Sequence, residues 1–144
     1  MARVKLQLPE NFLFSTTIPI RITDLNYGAH VGNDTILSLI HEARVQFLAS
    51  IGYQELNIAG VGLIMGDVAI EFKKELFYGN ILKAHVAAGD FSRVGFDLYY
   101  KLTVESSGAE TVVAIAKTGM VCFDYALKKV VAVPEEALRT LQGL

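Results

Sequence analysis

The chain has 144 residues and a formal net charge of −2, and 52% of its residues are hydrophobic while 19% are charged. This length fits one domain with one core, which we expect to span residues 1–144, and so apolar a composition predicts surface that is buried between subunits. The chain contains neither a basic run nor an apolar stretch long enough for a signal peptide or a membrane span. We therefore expect no nucleic-acid partner, no membrane association and a cytoplasmic location.

The first predicted elements are a strand and a long helix. Isoleucines alternate with other residues over 17–23, which predicts a strand with one buried face, and Pro19 suits an edge or the start of that strand. From Asp34 to Ile51 apolar residues recur every three or four positions, so this segment predicts a helix, which Gly52 ends in a left-handed conformation. The apolar arc of the helix is wider than a surface helix requires.

Four strands and a short helix are predicted in the rest of the chain. The connecting segments carry turn residues, and the strands fall within residues 63–76, 80–91, 93–106 and 110–126. Pro134 and the two glutamates after it favour the start of a final short helix. Because a helix that is apolar over most of its circumference needs a sheet curved around it, we predict an α+β fold whose open sheet edge favours dimerisation.

The single cysteine, Cys122, lies in an apolar run that predicts a strand. One cysteine cannot form an internal disulfide, and the three histidines do not show the spacing of metal ligands. We therefore expect a buried thiol, no metal site and no cofactor.

Polar and turn-forming residues gather at the junction of the first strand and the helix, in the segment RITDLNYGAHVGND, residues 21–34. Its candidate functional residues are Asp24, Asn26, His30 and Asn33. Each polar side chain also has a structural interpretation, because aspartate and asparagine are common turn formers and a histidine can satisfy its hydrogen bonds locally. The residue types alone leave both interpretations open.

The chain resembles the acyl-CoA thioesterases of the hotdog fold in two segments, Asp24-Leu25-Asn26-Tyr27-Gly28-Ala29-His30-Val31-Gly32-Asn33 and, in the helix, His41-Glu42-Ala43-Arg44. The pattern of the 4-hydroxybenzoyl-CoA thioesterase group is roughly D-x-D-x-x-G-H-V-N-N followed by a helix with E-x-A-R. The order of one strand, one helix and four strands is also that of the family. The resemblance implies a hotdog fold, in which a curved antiparallel five-stranded sheet wraps a long central helix.

The resemblance also implies roles for individual residues. In the family the second acid of D-x-D is the nucleophile or base, and it falls on Asn26 here, while the first acid is Asp24. An amide cannot accept a proton at neutral pH, so Asn26 can only orient water or substrate. Plant-type acyl-carrier-protein thioesterases, which share the fold, use a D-x-N-x-H segment with the residue types of Asp24, Asn26 and His30, although this chain has two extra residues before the histidine.

Thioester hydrolysis places negative charge on the carbonyl oxygen and needs an activated water. The helix start offers unpaired N–H donors for that charge, and the N–H of Asn33 is the candidate donor. A base must take the proton of the water, and the candidates are Asp24, His30 and Asp67. Asp67 is included because it interrupts an apolar strand that borders the cleft in the hotdog fold.

The implied substrate is an acyl thioester of coenzyme A or of acyl-carrier protein, and the implied assembly is a dimer or a dimer of dimers. Coenzyme A carries phosphates, for which the strands and strand ends offer Lys73, Lys74, Arg93 and Lys117. We predict Lys74 and Arg93 as the phosphate contacts, although a solvated strand face explains the same charges.

An acyl-CoA thioesterase is the predicted function. The second hypothesis is a non-catalytic acyl-thioester binding protein, because Asn26 replaces the family's acid. The third is a hotdog dehydratase acting on hydroxyacyl thioesters, since histidine and aspartate are both present. The sequence does not identify the acyl chain.

Overall fold

One antiparallel sheet curves around one long helix in the computed structural model, which describes residues 2–144. A 3-10 turn at Ile22–Asp24 precedes the helix. In chain order the elements are β1 Phe14–Pro19, α1 Asn33–Ser50, β2 Gly62–Phe72, β3 Ile81–Gly89, β4 Gly95–Ser106, β5 Ala109–Asp124, the two-residue β6 Lys129–Val130 and α2 Glu135–Gln142.

The strands lie in the order β1-β3-β4-β5-β2, and β6 pairs with the end of β5. The edges of the sheet are therefore β1 and β2, which are the two strands on either side of α1 in the sequence. Pro19 lies on edge strand β1, as its missing N–H predicts. The predicted α+β fold, with a long helix wrapped by five main strands, is confirmed.

Helix α1 fills the concave side of the sheet. Its buried residues recur at helical spacing, and Gly52 follows it at φ +85°, the left-handed conformation that glycine adopts readily. On the facing strands alternate residues are buried, because successive side chains point to opposite faces. The buried set on the sheet includes Leu82, Ala84, Val86, Leu98, Tyr100, Leu102, Ala114 and Ala116.

One charged side chain is part of this core. Arg44 on α1 is 5% exposed, and its guanidinium donates to the Glu55 carboxylate at 3.3 Å and to the Tyr100 hydroxyl at 3.4 Å. The Tyr100 hydroxyl lies 2.8 Å from the Thr118 hydroxyl, and the His41 ring lies 2.6 Å from the other oxygen of Glu55. This network joins the helix to the sheet and to the loop that follows the helix.

The N-terminal segment crosses the outer face of the sheet, opposite the helix. The N–H of Leu6 donates to the Glu71 carboxylate at 2.7 Å, and the Phe12 ring packs edge-on against His85 with centroids 6.1 Å apart. Burial lowers the pKa of His85, although Glu110 nearby opposes this change. No helix of residues 2–144 is long and apolar enough to span a membrane.

The structure contains a turn and a short strand that the sequence did not predict. The first strand, predicted over residues 17–23, ends at Pro19, because the carboxylate of Asp24 accepts the N–H of Arg21 at 2.8 Å and closes a 3-10 turn there. The short strand β6 was not predicted. Cys122 is fully buried as expected, and burial raises its pKa to about 11.

Candidate functional site

The segment between β1 and α1 is held together by contacts among its own polar residues. Asp24 is 6% exposed, and besides the N–H of Arg21 it accepts from the Arg21 guanidinium at 3.3 Å. The aspartate lines a groove between β1 and α1 that also contains Glu42 and Gln46. Both oxygens of Asp24 are therefore engaged in the 3-10 turn.

Asn26 and His30 meet at Gly28. The side-chain oxygen of Asn26 accepts the N–H of Gly28 at 2.8 Å, and the backbone N–H of Asn26 donates to the carbonyl of His30 at 2.9 Å. A Cβ atom on Gly28 would lie 3.1 Å from the Asn26 oxygen and 3.4 Å from His30 Nε2. The turn that joins them includes Ala29 at φ 66°, a left-handed conformation where the family pattern has glycine.

The start of helix α1 offers free donors. Gly32 precedes the helix with an extended backbone, and its carbonyl accepts the N–H groups of Thr35 and Ile36 at 3.1 Å. The N–H groups of Asn33 and Asp34 have no acceptor among residues 2–144. Because these groups carry the positive end of the helix dipole, they favour a negatively charged oxygen at this position.

A cleft of about 270 Å³ lies where α1 begins and β2 ends. Its walls include His30 and Asn33 on one side and Phe72, Lys73, Lys74 and Glu75 on the other. The two sides are joined by a hydrogen bond of 2.8 Å from the N–H of Val31 to the carbonyl of Leu76. The structure thus brings three predicted residues, His30, Asn33 and Lys74, into one cleft.

The contact of His30 with the backbone decides which ring nitrogen is available. Nδ1 lies 3.2 Å from the carbonyl oxygen of Val31. A carbonyl can only accept, so in the neutral ring Nδ1 carries the hydrogen and Nε2 carries the lone pair. Nε2 is therefore able to accept a hydrogen bond or a proton.

Asp67 lies on the other face of the sheet. Its carboxylate accepts the N–H of Gly119 at 3.0 Å and the Lys117 ammonium at 3.1 Å, and its side chain is 65% exposed. It lines an outer depression together with Asp90 and Asp97. Asp67 therefore does not share the cleft of His30 and Asn33 within one chain.

Arg93 is also remote from that cleft. It lies in the connection between β3 and β4, where its carbonyl accepts the N–H of Val133 at 2.9 Å. A larger cavity, of about 420 Å³, lies at the opposite end of α1 between Phe14, Phe47 and Leu141, and it contains none of the predicted site residues. The lining of this cavity is mostly apolar, in contrast to the cleft at the start of α1.

Phe72 and Glu75 are among the lining residues of the cleft that sequence reasoning missed. They lie in the segment FKKE at the end of the apolar run of β2. The sequence predicted that this segment continues the strand, which would have kept both residues within the sheet. The strand instead ends at Phe72, and the N–H groups of Lys73 and Lys74 both donate to the carbonyl of Val113. The charged run after an apolar strand was the available signal.

The curved antiparallel sheet around one long helix is a hotdog fold. The sequence pattern of the thioesterase-like superfamily matches residues 20–141. The chain belongs to this superfamily, so the family that the motif resembles is confirmed, and with it the class of activity, thioester hydrolysis.

Several known proteins are similar over nearly the whole chain. A provisionally described esterase of Aquifex aeolicus (strain VF5) is 26% identical over 136 residues, 91% of this chain and 98% of the relative. The structure of a 1,4-dihydroxy-2-naphthoyl-CoA thioesterase from Synechocystis matches with a TM-score of 0.80 at 21% identity, covering 91% of this chain and 96% of that one. A 4-hydroxybenzoyl-CoA thioesterase from Pseudomonas sp. strain CBS-3 matches with a TM-score of 0.78 at 14% identity, covering 88% and 97%. At such identities the two structures support the fold.

Proposed function

We propose that this chain hydrolyses acyl-CoA thioesters in the cleft between the start of α1 and the end of β2. The observation that carries the proposal is that Asn33, whose N–H has no acceptor among residues 2–144, lines a cleft together with His30. The similar proteins from Synechocystis and Pseudomonas are described as thioesterases of aromatic acyl-CoA compounds, which supports a coenzyme A thioester as substrate.

The helix start stabilises the charge that develops on the carbonyl oxygen. When water attacks the carbonyl carbon, a C–O bond forms and the oxygen becomes an oxyanion, which accepts from the N–H of Asn33. A fixed donor of this kind typically contributes a factor of about 10²–10³ in turnover. The C–S bond then breaks and the thiolate leaves, which requires little help because thiolate is stable in water.

His30 orients the attacking water. Because Nδ1–H is donated to Val31, Nε2 accepts a hydrogen bond from a water in the cleft. Asn26 supports this arrangement through the turn at Gly28, where its side-chain oxygen accepts the N–H of Gly28 and its backbone N–H donates to the carbonyl of His30.

Lys74 contacts the phosphates of coenzyme A at the rim of the cleft. Lys73 lies beside it but is paired with Glu71 at 3.3 Å, so Lys74 is the better candidate. Charge reversal by Lys74→Glu should raise KM and spare kcat, since a phosphate far from the thioester binds equally in the ground and transition states. Arg93→Glu is the comparison variant, because Arg93 was predicted from the same sequence pattern but lies elsewhere.

Release of free thiol from short, medium, long and aromatic acyl-CoA substrates tests the function. The variant His30→Gln should lower kcat at least about tenfold, the value of one hydrogen bond of about 1.4 kcal/mol. His85→Gln on the outer face of the sheet is the matched control and should retain activity. Absence of turnover with every acyl group would contradict the proposal.

Asn26→Asp tests whether the site is a weakened form of the family's acid-containing site. We expect hydrolysis to increase, because a carboxylate at this position can accept a proton where the amide cannot. A decrease would mean that the amide has a positive role in holding the turn. Tight acyl-CoA binding without hydrolysis, before and after this change, would favour the non-catalytic binding protein.

We further propose that two copies pair through the free edge of β2. An edge strand has unpaired backbone N–H and C=O groups that can bond to a strand of a second chain. The edge strand β2 also exposes Met65, Val68 and Phe72 along its length. A dimer in sedimentation at micromolar concentration is the expected result, and Val68→Lys should weaken it. A monomer that hydrolyses acyl-CoA at full rate would contradict this assembly.

A further inference from the structure

The cleft contains one carboxylate, Glu75, that the family pattern does not assign. Glu75 follows the end of β2 and lines the cleft together with His30 and Asn33. Its neighbour Leu76 accepts the N–H of Val31 at 2.8 Å, and His30 precedes Val31. The backbone pairing therefore brings the glutamate and the histidine to the same end of the helix.

The other acids of the motif region are not free to act in this cleft. Asp24 uses both oxygens to hold Arg21 and lines a different groove. Asp67 is held by Gly119 and Lys117 on the outer face of the sheet. Asn26, at the position of the family's acid, has an amide that cannot take a proton.

Glu75, in contrast, has no hydrogen bond or ion pair with any of residues 2–144 that would engage its carboxylate. The side chain is exposed, and of the two lysines that line the same cleft Lys73 is paired with Glu71. A free carboxylate within a substrate cleft is chemically able to remove a proton from water.

We propose that Glu75 is a further catalytic residue, the general base that replaces the acid missing at position 26. This inference rests on the proposed function. The water oxygen bonds to the carbonyl carbon while one of its O–H bonds breaks and the proton passes to a Glu75 oxygen. The second O–H is hydrogen-bonded to His30 Nε2. The C–S bond breaks, and the proton on Glu75 goes to the departing thiolate or to solvent, which returns the carboxylate.

The variant Glu75→Gln keeps the size of the side chain and removes its ability to accept a proton. Loss of a general base lowers turnover by about 10²–10⁴-fold, so we expect kcat to fall by at least about 100-fold with KM little changed. The matched control is Glu136→Gln, an exposed glutamate in helix α2 that does not line the cleft, and it should retain the rate. Circular dichroism and the unfolding midpoint show whether each variant is folded.

Rescue by a small carboxylate separates a chemical role from a structural one. The variant Glu75→Ala opens space in the cleft. Added formate should raise the turnover of this variant at least about tenfold over its turnover without formate, because formate can accept the proton in place of the side chain. Formate should not accelerate His30→Gln. Glu75→Asp, which keeps a carboxylate, should retain more activity than Glu75→Gln.

The outcomes distinguish this inference from the function on which it rests. A Glu75→Gln variant within about twofold of the parent, while His30→Gln is strongly impaired, would overturn Glu75 as the base and leave the thioesterase function standing. Loss of activity in Glu75→Gln without rescue of Glu75→Ala by formate would also overturn it. Absence of acyl-CoA hydrolysis by the parent chain would contradict the proposed function itself.

Discussion

The Asp67 carboxylate lies 3.0 Å from the N–H of Gly119, its partner across β2 and β5, and this contact puts Asp67 on the face of the sheet away from α1. The register explains the placement. Met65 pairs with Met120 and Asp67 pairs with Gly119, so Gly66 is an extra residue in β2. One inserted residue exchanges the two faces of a strand, because side chains alternate with a period of two.

Asp67→Asn should leave turnover within about threefold of the parent. The asparagine keeps the size of the side chain, and the cleft lies on the other face of the sheet, so the attacking water does not depend on Asp67. Steady-state kinetics with the best acyl-CoA is the measurement. A fall of 100-fold with the fold and assembly intact would restore Asp67 as a catalytic base, contributed to the cleft of a second copy.

Asp24→Ala should lower stability more than it lowers turnover. The change removes the acceptor for the N–H of Arg21 and for its guanidinium in a nearly buried position, which costs about 1–3 kcal/mol of unfolding free energy. Urea denaturation measures this loss. The control is Asp124→Ala, whose carboxylate accepts the N–H of Leu127 in an exposed turn and should cost less. A large fall in kcat with unchanged stability would instead assign Asp24 to catalysis.

Ala29→Gly should stabilise the protein by about 0.5–1 kcal/mol. An L-residue in the left-handed region carries a steric cost of about 1–2 kcal/mol, which glycine avoids. Glycine also gives the unfolded chain more conformational entropy, and this offsets part of the gain in stability. Ala126→Gly, in an exposed turn where the backbone is not left-handed, should not stabilise. The urea midpoints of the two variants are compared, and an unchanged or lower midpoint for Ala29→Gly would argue against the left-handed turn.

Arg44→Ala should cost about 2–3 kcal/mol of unfolding free energy. The guanidinium is almost fully buried, and its removal leaves Glu55 without its charged partner and the Tyr100 hydroxyl without one of its donors. Arg139→Ala on the exposed side of α2 is the control and should change stability by no more than about 0.5 kcal/mol. Equal effects of the two changes would mean that the buried network contributes no more than a surface charge.

The sequence predicted the helix and the succession of strands along the chain because both depend on periodicity over many residues, whereas the order of the strands in the sheet was not predicted. Gly52 ends α1 and the β4 alternation follows the buried face as the pattern indicates. The face on which Asp67 lies could not be predicted in the same way. In an unbroken strand Leu63, Met65 and Asp67 would lie on the same face of the sheet, and only the bulge at Gly66 moves Asp67 to the other face. An isolated glycine in a strand was the available signal.

The cleft was predicted in part. His30 and Asn33 follow from the motif because they lie next to the helix start, which the sequence fixes locally. Glu75 could not be predicted, because its approach to His30 depends on the contact between Val31 and Leu76, which are far apart in sequence. Arg93 was grouped with Lys74 by charge alone, and charge does not report which end of a sheet a residue reaches.

The order of the strands has a consequence for the synthesis of the chain. Residues 62–72 form β2, yet within residues 2–144 their only partner strand is β5, which ends at Asp124. A nascent chain emerging from the ribosome therefore holds β2 with both edges open until about fifty further residues have been added. Apolar strands exposed in this way are prone to pair with other chains. Slow translation through β3 and β4 would lengthen that interval, so soluble yield should depend on chaperones that bind extended apolar segments during synthesis.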